Sequence, residues 1–477
     1  MSAPIEFGSD RATAPINLLR GWPNPSLLPV DLLKEAADAV LSDTSIAHPG
    51  LLYGPDEGYA PFREAVAAWL NAFYKPERPI ESSRICINGG ASQSLGSLLN
   101  VYTDPEYTRN VWFVAPAYML AFRVFEDAGF AGKMRAVPED EEGIDIAYLA
   151  RELAKSEEKA KSRGNTQPLY KPDRQRAKVY KHVVYCVPTF SNPSSRTMSL
   201  QRRRELVRLA RDFDALVTCD DVYDFLQWPT ATDQVGGSGI KIRPMKTAHL
   251  PRLVDVDRSL DGGAGRQGAD GFGNVCSNGT FSKLAGPGLR CGWVEGTEKF
   301  SYGASQAGTQ RSGGAPCQLT STYITKVVAS GELQRHIETV LQPAYASRYK
   351  TMAKAIEDHL LPLGFSMPQP NRDVIGGYFI WLGLPADLKG HELVQKCQDG
   401  ENLIVSPGSA FEVPGDESIS FASNVRLCFA WEDEWKLREG VKRIGKVAKR
   451  LLERGDDGSE DYVVVENGDE DRLQASK

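Results

Sequence analysis

The chain has 477 residues, with 56 Lys and Arg against 62 Asp and Glu, a formal net charge of −6, and 41% hydrophobic residues. That length and apolar share support a large core spread over two or three domains. The mildly acidic balance excludes a general nucleic-acid coat. No run of about 18 apolar residues is present to span a membrane, and the opening MSAPIEFGSD lacks the basic-then-apolar pattern of an export signal. The eight cysteines sit mostly inside apolar runs and none forms a CxxC pair. They read as small buried hydrophobes in a reducing compartment, and cytoplasmic location is the expectation. The six histidines are scattered, so no metal site is expected.

Residues 1–50 are too few for a domain and are expected to pack against the smaller, C-terminal one. Residues 85–88 (ICIN) read as a strand, followed by a Gly-rich turn and a helix through SQSLGSLLNVY. VWFV at 111–114 is a second strand, closed by Pro116. Residues 155–181 carry nine Lys or Arg against three acids, without regular interleaving of aromatics beyond Tyr170 and Tyr180, and read as a solvated loop. VVYCV at 183–187 ends at Pro188, residues 200–213 read as a helix, and ALVTC at 215–219 ends at Asp220 and Asp221. Residues 229–274 hold nine glycines and read as a surface insertion in which PRLVDVDRSL forms one short ordered piece. Two more strands follow at 275–278 and 291–294. Unalternating apolar strands separated by helices predict an α/β fold with a mostly parallel sheet covered on both faces.

The texture changes after about residue 317. A long helix is expected over 332–359. Three strand-like runs (GGYFIWL, LIVSPG, VRLCFAW) and a last helix over 432–452 follow, together reading as an α+β domain. The expected division is a segment 1–50, a large domain 51–317, a small domain 318–454 and a tail 455–477. The tail holds eight acids and two bases and is expected to be disordered.

Polar punctuation follows the strand ends at 89–93, 116–118, 188–192, 220–223 and 277–283. Ligands of open α/β sheets bind at the carboxyl ends of strands, so these segments are candidates for one site. The most informative stretch is SNGTFSKLAGPGLRCGWV at 277–294. Lys283 lies between small hydroxyl residues and a Gly-Pro-Gly turn, and a desolvated lysine there has a lowered pKa and serves as a Schiff-base amine. Thr280, Ser282 and Arg290 form a set suited to a phosphate. In DDVY, Asp220 reads equally as a helix N-cap or as a carboxylate facing a buried cation such as a pyridinium. Asn192 sits in an Asn-Pro turn. Backbone N–H groups at Ala91 and Ser92 open a helix and suit an anion. Tyr118 is an aromatic at a strand end, placed either for packing or for stacking on a planar ring.

In order and spacing these stretches resemble the fold-type-I, class I/II pyridoxal-phosphate aminotransferases over roughly residues 16–452. The resemblance is carried by INLLRGWPNPSLLP, LLYGPDEGYAPFREAVAAWL, NPSSR in the place of the family's NPTG, DDVY, SNGTFSKLAGPGLRCGW and NVRLCFAW. It is closest in flavour to the 2-aminoadipate/aromatic branch, in a fungal-type version. The resemblance implies pyridoxal 5'-phosphate as cofactor, amino acid and 2-oxo acid substrates, and a homodimer. It implies that Lys283 forms the Schiff base and shuttles the proton, that Asp220 holds the ring-nitrogen proton, and that Tyr223 and Asn192 bond the ring hydroxyl. Tyr118 would stack on the ring. Ala91, Ser92, Thr280, Ser282 and Arg290 would hold the phosphate, joined by Tyr53 reaching into a second subunit. Arg426 would clamp the substrate carboxylate, with Asn192 and the Gly21 backbone beside it, and Arg20 is a candidate selector for an acidic side chain.

Two departures stand out. Ala91–Ser92 replaces the usual Ser-Gln pair, and Ser195 replaces a glycine, so that turn is expected to differ. Elimination, γ-substitution or carbon–carbon bond formation on the same cofactor, in fungal secondary metabolism, remains the alternative. Some bacterial regulators join such a domain to a DNA-binding helix-turn-helix. Residues 1–50, with six acids and three bases, are too short and too acidic for that role.

Overall fold

Every residue of His182–Cys186 and of Ala215–Asp220 is buried, which is why these runs show no polar alternation: helices cover both faces of the sheet they form. The computed structural model describes residues 14–453, apart from 173, 175, 230–231, 236–238, 243–249 and 369–373. The acidic tail at 455–477 lies outside the described residues. The central sheet has eight strands: β1 (Ile85–Asn88), β2 (Asn110–Ala115), β3 (Met134–Asp140), β4 (Gly143–Ile144), β5 (His182–Cys186), β6 (Ala215–Asp220), β7 (Val275–Thr280) and β8 (Gly292–Glu295). Their order across the sheet is β1, β8, β7, β6, β5, β2, β3, β4. From β7 to β3 all neighbours are parallel. Strand β8 runs antiparallel to β7 and β1, and β4 antiparallel to β3.

Alternate residues of one strand feed different cores. Val184 and Val217 pack with Leu149, Leu206 and Leu253 on one face. Val183 and Tyr185 pack with Leu95, Phe122 and Phe125 on the other. The parallel order places the ends of β2, β5, β6 and β7, and the turn after β1, on one edge of the sheet. The C-terminal third forms its own three-stranded antiparallel sheet. In it β11 (Asn424–Cys428) lies between β9 (Phe379–Gly383) and β10 (Ser406–Pro407). Helices Gln342–His359 and Glu434–Glu453 pack together beside it. The expected 332–359 helix is helical throughout but widens into a π turn at Ile337–Leu341. Pro343, which offers no N–H to the regular ladder, follows at once. At the N-terminus, Ile16–Asn17 pairs in parallel with Leu403–Ile404. The Cys428 N–H donates to the Leu18 carbonyl at 2.7 Å.

Three expectations need correction. Residues 155–162 are not loop but the end of a helix, Ile146–Ser162, whose Asp145 N-cap accepts from the Tyr148 N–H at 2.9 Å. Its buried side is narrow, with only Leu149, Leu153 and Ala160, so the densely charged outer face hides the period. Strand β3 went unseen because MRAVPED carries charges and Pro138 near the sheet edge. The stretch 250–274 is not surface decoration. Helix Leu253–Ser259 buries Leu253, Val254 and Val256 and packs on helix Leu200–Asp212 and on β7 as the crossover before that strand. Arg252 at its start is buried in ion pairs with Asp255 at 3.0 Å and Glu295 at 2.8 Å.

Candidate active site

The strand ends at this edge, together with the segment 19–23 and strands β9 and β11, enclose a cavity of about 220 Å³. It is lined by Gly21, Ala91, Ser92, Tyr118, Asn192, Asp220, Tyr223, Thr280, Ser282, Lys283, Arg290 and Arg426, so the fold brings together residues from the two ends of the chain.

Lys283 sits in the turn that follows β7. Phe281, two residues earlier, is fully buried against Phe62, Trp69 and Trp293 at centroid distances of 5.6, 5.8 and 5.1 Å, and that anchor fixes the turn. The Lys283 Nζ donates to the Gly21 carbonyl at 2.7 Å and lies 5.3 Å from the centre of the Tyr378 ring. The Tyr378 hydroxyl donates to the Lys283 carbonyl at 3.2 Å. Lys283 keeps some accessible surface, but that surface faces the cavity, so the amine is removed from bulk water. Loss of hydration brings its pKa down to about 8. The nearby Cys428 opposes that shift and the Arg426 charge adds to it.

Asp220 ends β6, buried between two donors. Tyr185 on β5 gives its hydroxyl to Oδ2 at 2.6 Å, and Asn278 on β7 gives its Nδ2 to Oδ1 at 2.8 Å. Burial pushes the carboxyl pKa up and the two hydrogen bonds pull it back. Asp220 is no N-cap: the next residues form a turn rather than a helix.

Helix Ala91–Tyr102 starts at the cavity, with free N–H groups in its first turn. Gly90 before it has φ +95, and a Cβ there would lie 2.9 Å from Arg290 Nη2, so glycine is needed for both the turn and the arginine's approach. Thr280 and Ser282 place their hydroxyls 2.9 Å apart on the facing turn. Helix start, two hydroxyls and a guanidinium form an anion cradle.

Arg426, in the middle of β11, is buried. Its Nη1 donates to Asn192 Oδ1 at 2.9 Å and its Nη2 to the Leu19 carbonyl at 2.5 Å. The guanidinium lies 4.1 Å from the Phe379 ring centre and 4.9 Å from that of Phe411. Burial lowers its pKa to about 10, still charged at neutral pH. Its Nε, also buried, has no partner among the described residues. A buried cation facing a cavity and held by neutral acceptors is chemically suited to pair with a carboxylate. Tyr223 is buried beside Tyr378, at 5.5 Å between ring centres. Burial raises the Tyr118 hydroxyl to about 12, so that it faces the cavity as a neutral phenol.

The Asn192 turn carries a serine where the resemblance leads one to expect glycine. Ser195 itself takes the left-handed conformation, φ +59, and its hydroxyl donates to the Phe379 carbonyl at 2.5 Å. Arg20, a candidate selector, is absent from the cavity wall, and Tyr53, expected to serve a second subunit, lies outside it as well. Tyr53 is 89% exposed on the surface. Arg20 lies between Trp22 and Trp431, with its guanidinium carbon 4.8 and 4.9 Å from their ring centres. Tyr185, Asn278 and Tyr378 were not foreseen. Tyr185 is hidden in an apolar run, and only the polar Asn278 inside a buried strand carried a signal.

If burial sets the Lys283 amine, protein stripped of bound small molecules should show one lysine that reacts with trinitrobenzenesulfonate at a rate levelling off above pH of about 8. Peptide mapping should place that label on Lys283. A Lys283 labelling rate still rising through pH 10, as for an ordinary exposed lysine, contradicts the desolvation.

The family model described as aminotransferase class I and II matches residues 24–444. A Saccharomyces cerevisiae protein named uncharacterized protein YER152C is 35% identical over 452 residues, covering 91% of this chain and 97% of its own length. The aromatic-amino-acid aminotransferase 1 of Thermococcus litoralis is 27% identical, over 92% of this chain and 89% of that one. The crystal structure of LysN from Thermus thermophilus is similar at TM-score 0.70 and 25% identity, over 92% of this chain and 93% of that one. It is an α-aminoadipate aminotransferase complexed with N-(5'-phosphopyridoxyl)-L-leucine.

Proposed function

The chain belongs to the class I and II aminotransferases, and from that premise we propose how its own residues carry the reaction. It is a pyridoxal 5'-phosphate enzyme that moves an amino group from an amino acid to a 2-oxo acid, the first product leaving before the acceptor enters. The cavity fits the cofactor: an anion cradle at one end, a near-neutral amine in the middle, and a carboxylate held by neutral donors where a protonated ring nitrogen needs one. When bound, pyridoxal phosphate supplies the electron sink that makes the substrate Cα–H acidic.

The observation that carries the reading is the convergence of Lys283, Asp220 and Arg426 on one cavity. Lys283 is the amine that would hold the cofactor through its aldehyde carbon, and once displaced by the substrate amine it would move the proton from the substrate Cα. A pKa of about 8 leaves an appreciable neutral fraction near physiological pH, as a proton shuttle requires. Asp220 holds the ring-nitrogen proton, and Tyr223 with Asn192 orients the ring hydroxyl. Tyr118 covers one ring face and excludes water. Ala91, Ser92, Thr280, Ser282 and Arg290 take the phosphate. Arg426 pairs with the substrate carboxylate, supported by Asn192 and the Gly21 backbone.

For the donor, the lining supports a large apolar or aromatic side chain. Leu19, Trp22, Met119, Leu120, Val187 and Phe379 face the cavity, and Arg20 is stacked between two tryptophans rather than set toward an acidic group. The elimination or bond-forming alternative is not favoured, since the relatives of assigned activity named above are aminotransferases. A homodimer belongs to this reading. Leu51, Leu52 and Tyr53 are 65, 69 and 89% exposed in one subunit, which leaves Tyr53 available to a second subunit's phosphate site. No described helix is long and apolar enough to cross a membrane. The eight free cysteines support a reducing, cytoplasmic setting.

Adding an amino-acid donor to the yellow holoenzyme should bleach its visible band, and 2-oxoglutarate should restore it. Lys283→Ala should retain cofactor without turnover. Full activity in that variant, or a band that shifts to long wavelength and persists, contradicts the reading. Arg426→Ala should raise the KM for amino acids roughly 10- to 100-fold, the loss of a charged paired contact. An unchanged KM places the carboxylate elsewhere.

A further inference from the structure

Asp220 is gripped from both sides. Asn278 is its register partner on β7, and Tyr185 reaches it from β5, one strand over on the other side. We propose that Tyr185 and Asn278 are positioning residues that hold Asp220 as an oriented, charged carboxylate toward the cofactor's ring nitrogen, and that Asn278 ties this carboxylate to the phosphate cradle. The inference rests on the reading of Asp220 given above.

The chemistry of the two donors matters. An arginine or histidinium partner would cancel the carboxylate's charge and compete with the pyridinium proton. A phenol and an amide orient and stabilise the anion while leaving its charge uncompensated. Tyr185 stays a phenol, because its own burial and the adjacent carboxylate both resist its ionisation. Its ring is locked by Phe113 and Phe125, at 5.5 and 5.8 Å between centres, so the hydroxyl has little freedom to leave Oδ2. A carboxylate has about four acceptor positions, and the two donors use one on each oxygen, leaving others for the ring nitrogen.

Asn278 does a second thing. Its Nδ2 also donates to the carbonyl of Ala91 at 3.0 Å, the first residue of the helix whose N–H groups face the phosphate site. One amide thus spans the anchor for the ring and the anchor for the phosphate. The distance between them becomes a property of β7 rather than of the loops.

The test compares two ligands on the full-length apoprotein: pyridoxal phosphate and its 1-deaza analogue, in which carbon replaces the ring nitrogen. Wild type should prefer pyridoxal phosphate. Tyr185→Phe should cut that preference roughly tenfold, the scale of a hydrogen bond to a charged group, while the analogue's Kd stays unchanged. Asn278→Thr should cut the preference and also weaken the analogue. Equal weakening of both ligands by Tyr185→Phe makes the tyrosine a mere packing residue and overturns the proposal. Full preference retained in both variants overturns it too, and unchanged analogue binding by Asn278→Thr overturns the tie to the cradle. If wild type itself shows no preference, the reading of Asp220 fails, and the positioning role falls with it.

Discussion

Withdrawing the Lys283 amine from bulk water is the constraint on which the rest of this site depends. An ammonium ion loses much of its hydration in such a place, and its pKa falls to about 8 in consequence. That shift requires a wall that admits little water and an anchor that keeps the side chain in place. Phe281 supplies the anchor by sinking into an aromatic core with Phe62, Trp69 and Trp293. The wall comes from three parts of the chain: the turn after β7, the Tyr378 ring beside β9, and the extended segment whose Gly21 carbonyl accepts from the amine. Gly21 lies so close to Phe379 that a Cβ would sit 2.8 Å from its ring edge. The N-terminal segment is therefore part of the catalytic wall.

The remaining charges are arranged around that amine with little mutual cancellation. Asp220 and Arg426 are both buried, yet their recorded hydrogen-bond partners are neutral: a phenol and two amide side chains, with one backbone carbonyl. Buried ions in such company are costly to keep. The same company leaves each of them able to pair with a ligand of opposite charge, Arg426 with a carboxylate and Asp220 with a ring cation. At the crossover before β7 buried charge is treated differently. Arg252 is matched directly by Asp255 and Glu295, and there the ions hold the crossover helix to the sheet.

Much of this was legible in the sequence because the physics is local. Strands buried on both faces write unbroken apolar runs, and six of the eight central strands are legible that way. The residues around the cavity follow strand ends, where polar punctuation is conspicuous. What escaped reading depended on tertiary context. Helix Ile146–Ser162 buries a narrow stripe beneath a densely charged face, and β3 lies near the sheet edge with Pro138 in it. Helix Leu253–Ser259 is legible as a short ordered piece, but its glycine-rich surroundings conceal that it packs on the central sheet. Arg20 is next to a site residue in sequence but folds away between two indoles. Tyr185 is indistinguishable from packing until its neighbour strand brings Asp220 to its hydroxyl.

The most direct measurement is chemical trapping: reduction of the yellow holoenzyme with borohydride, followed by peptide mapping. The account predicts one pyridoxyl modification, on Lys283, with no other lysine labelled. A modification carried by a different lysine, or none in an enzyme that still transfers amino groups, contradicts the placement of the chemistry at the end of β7.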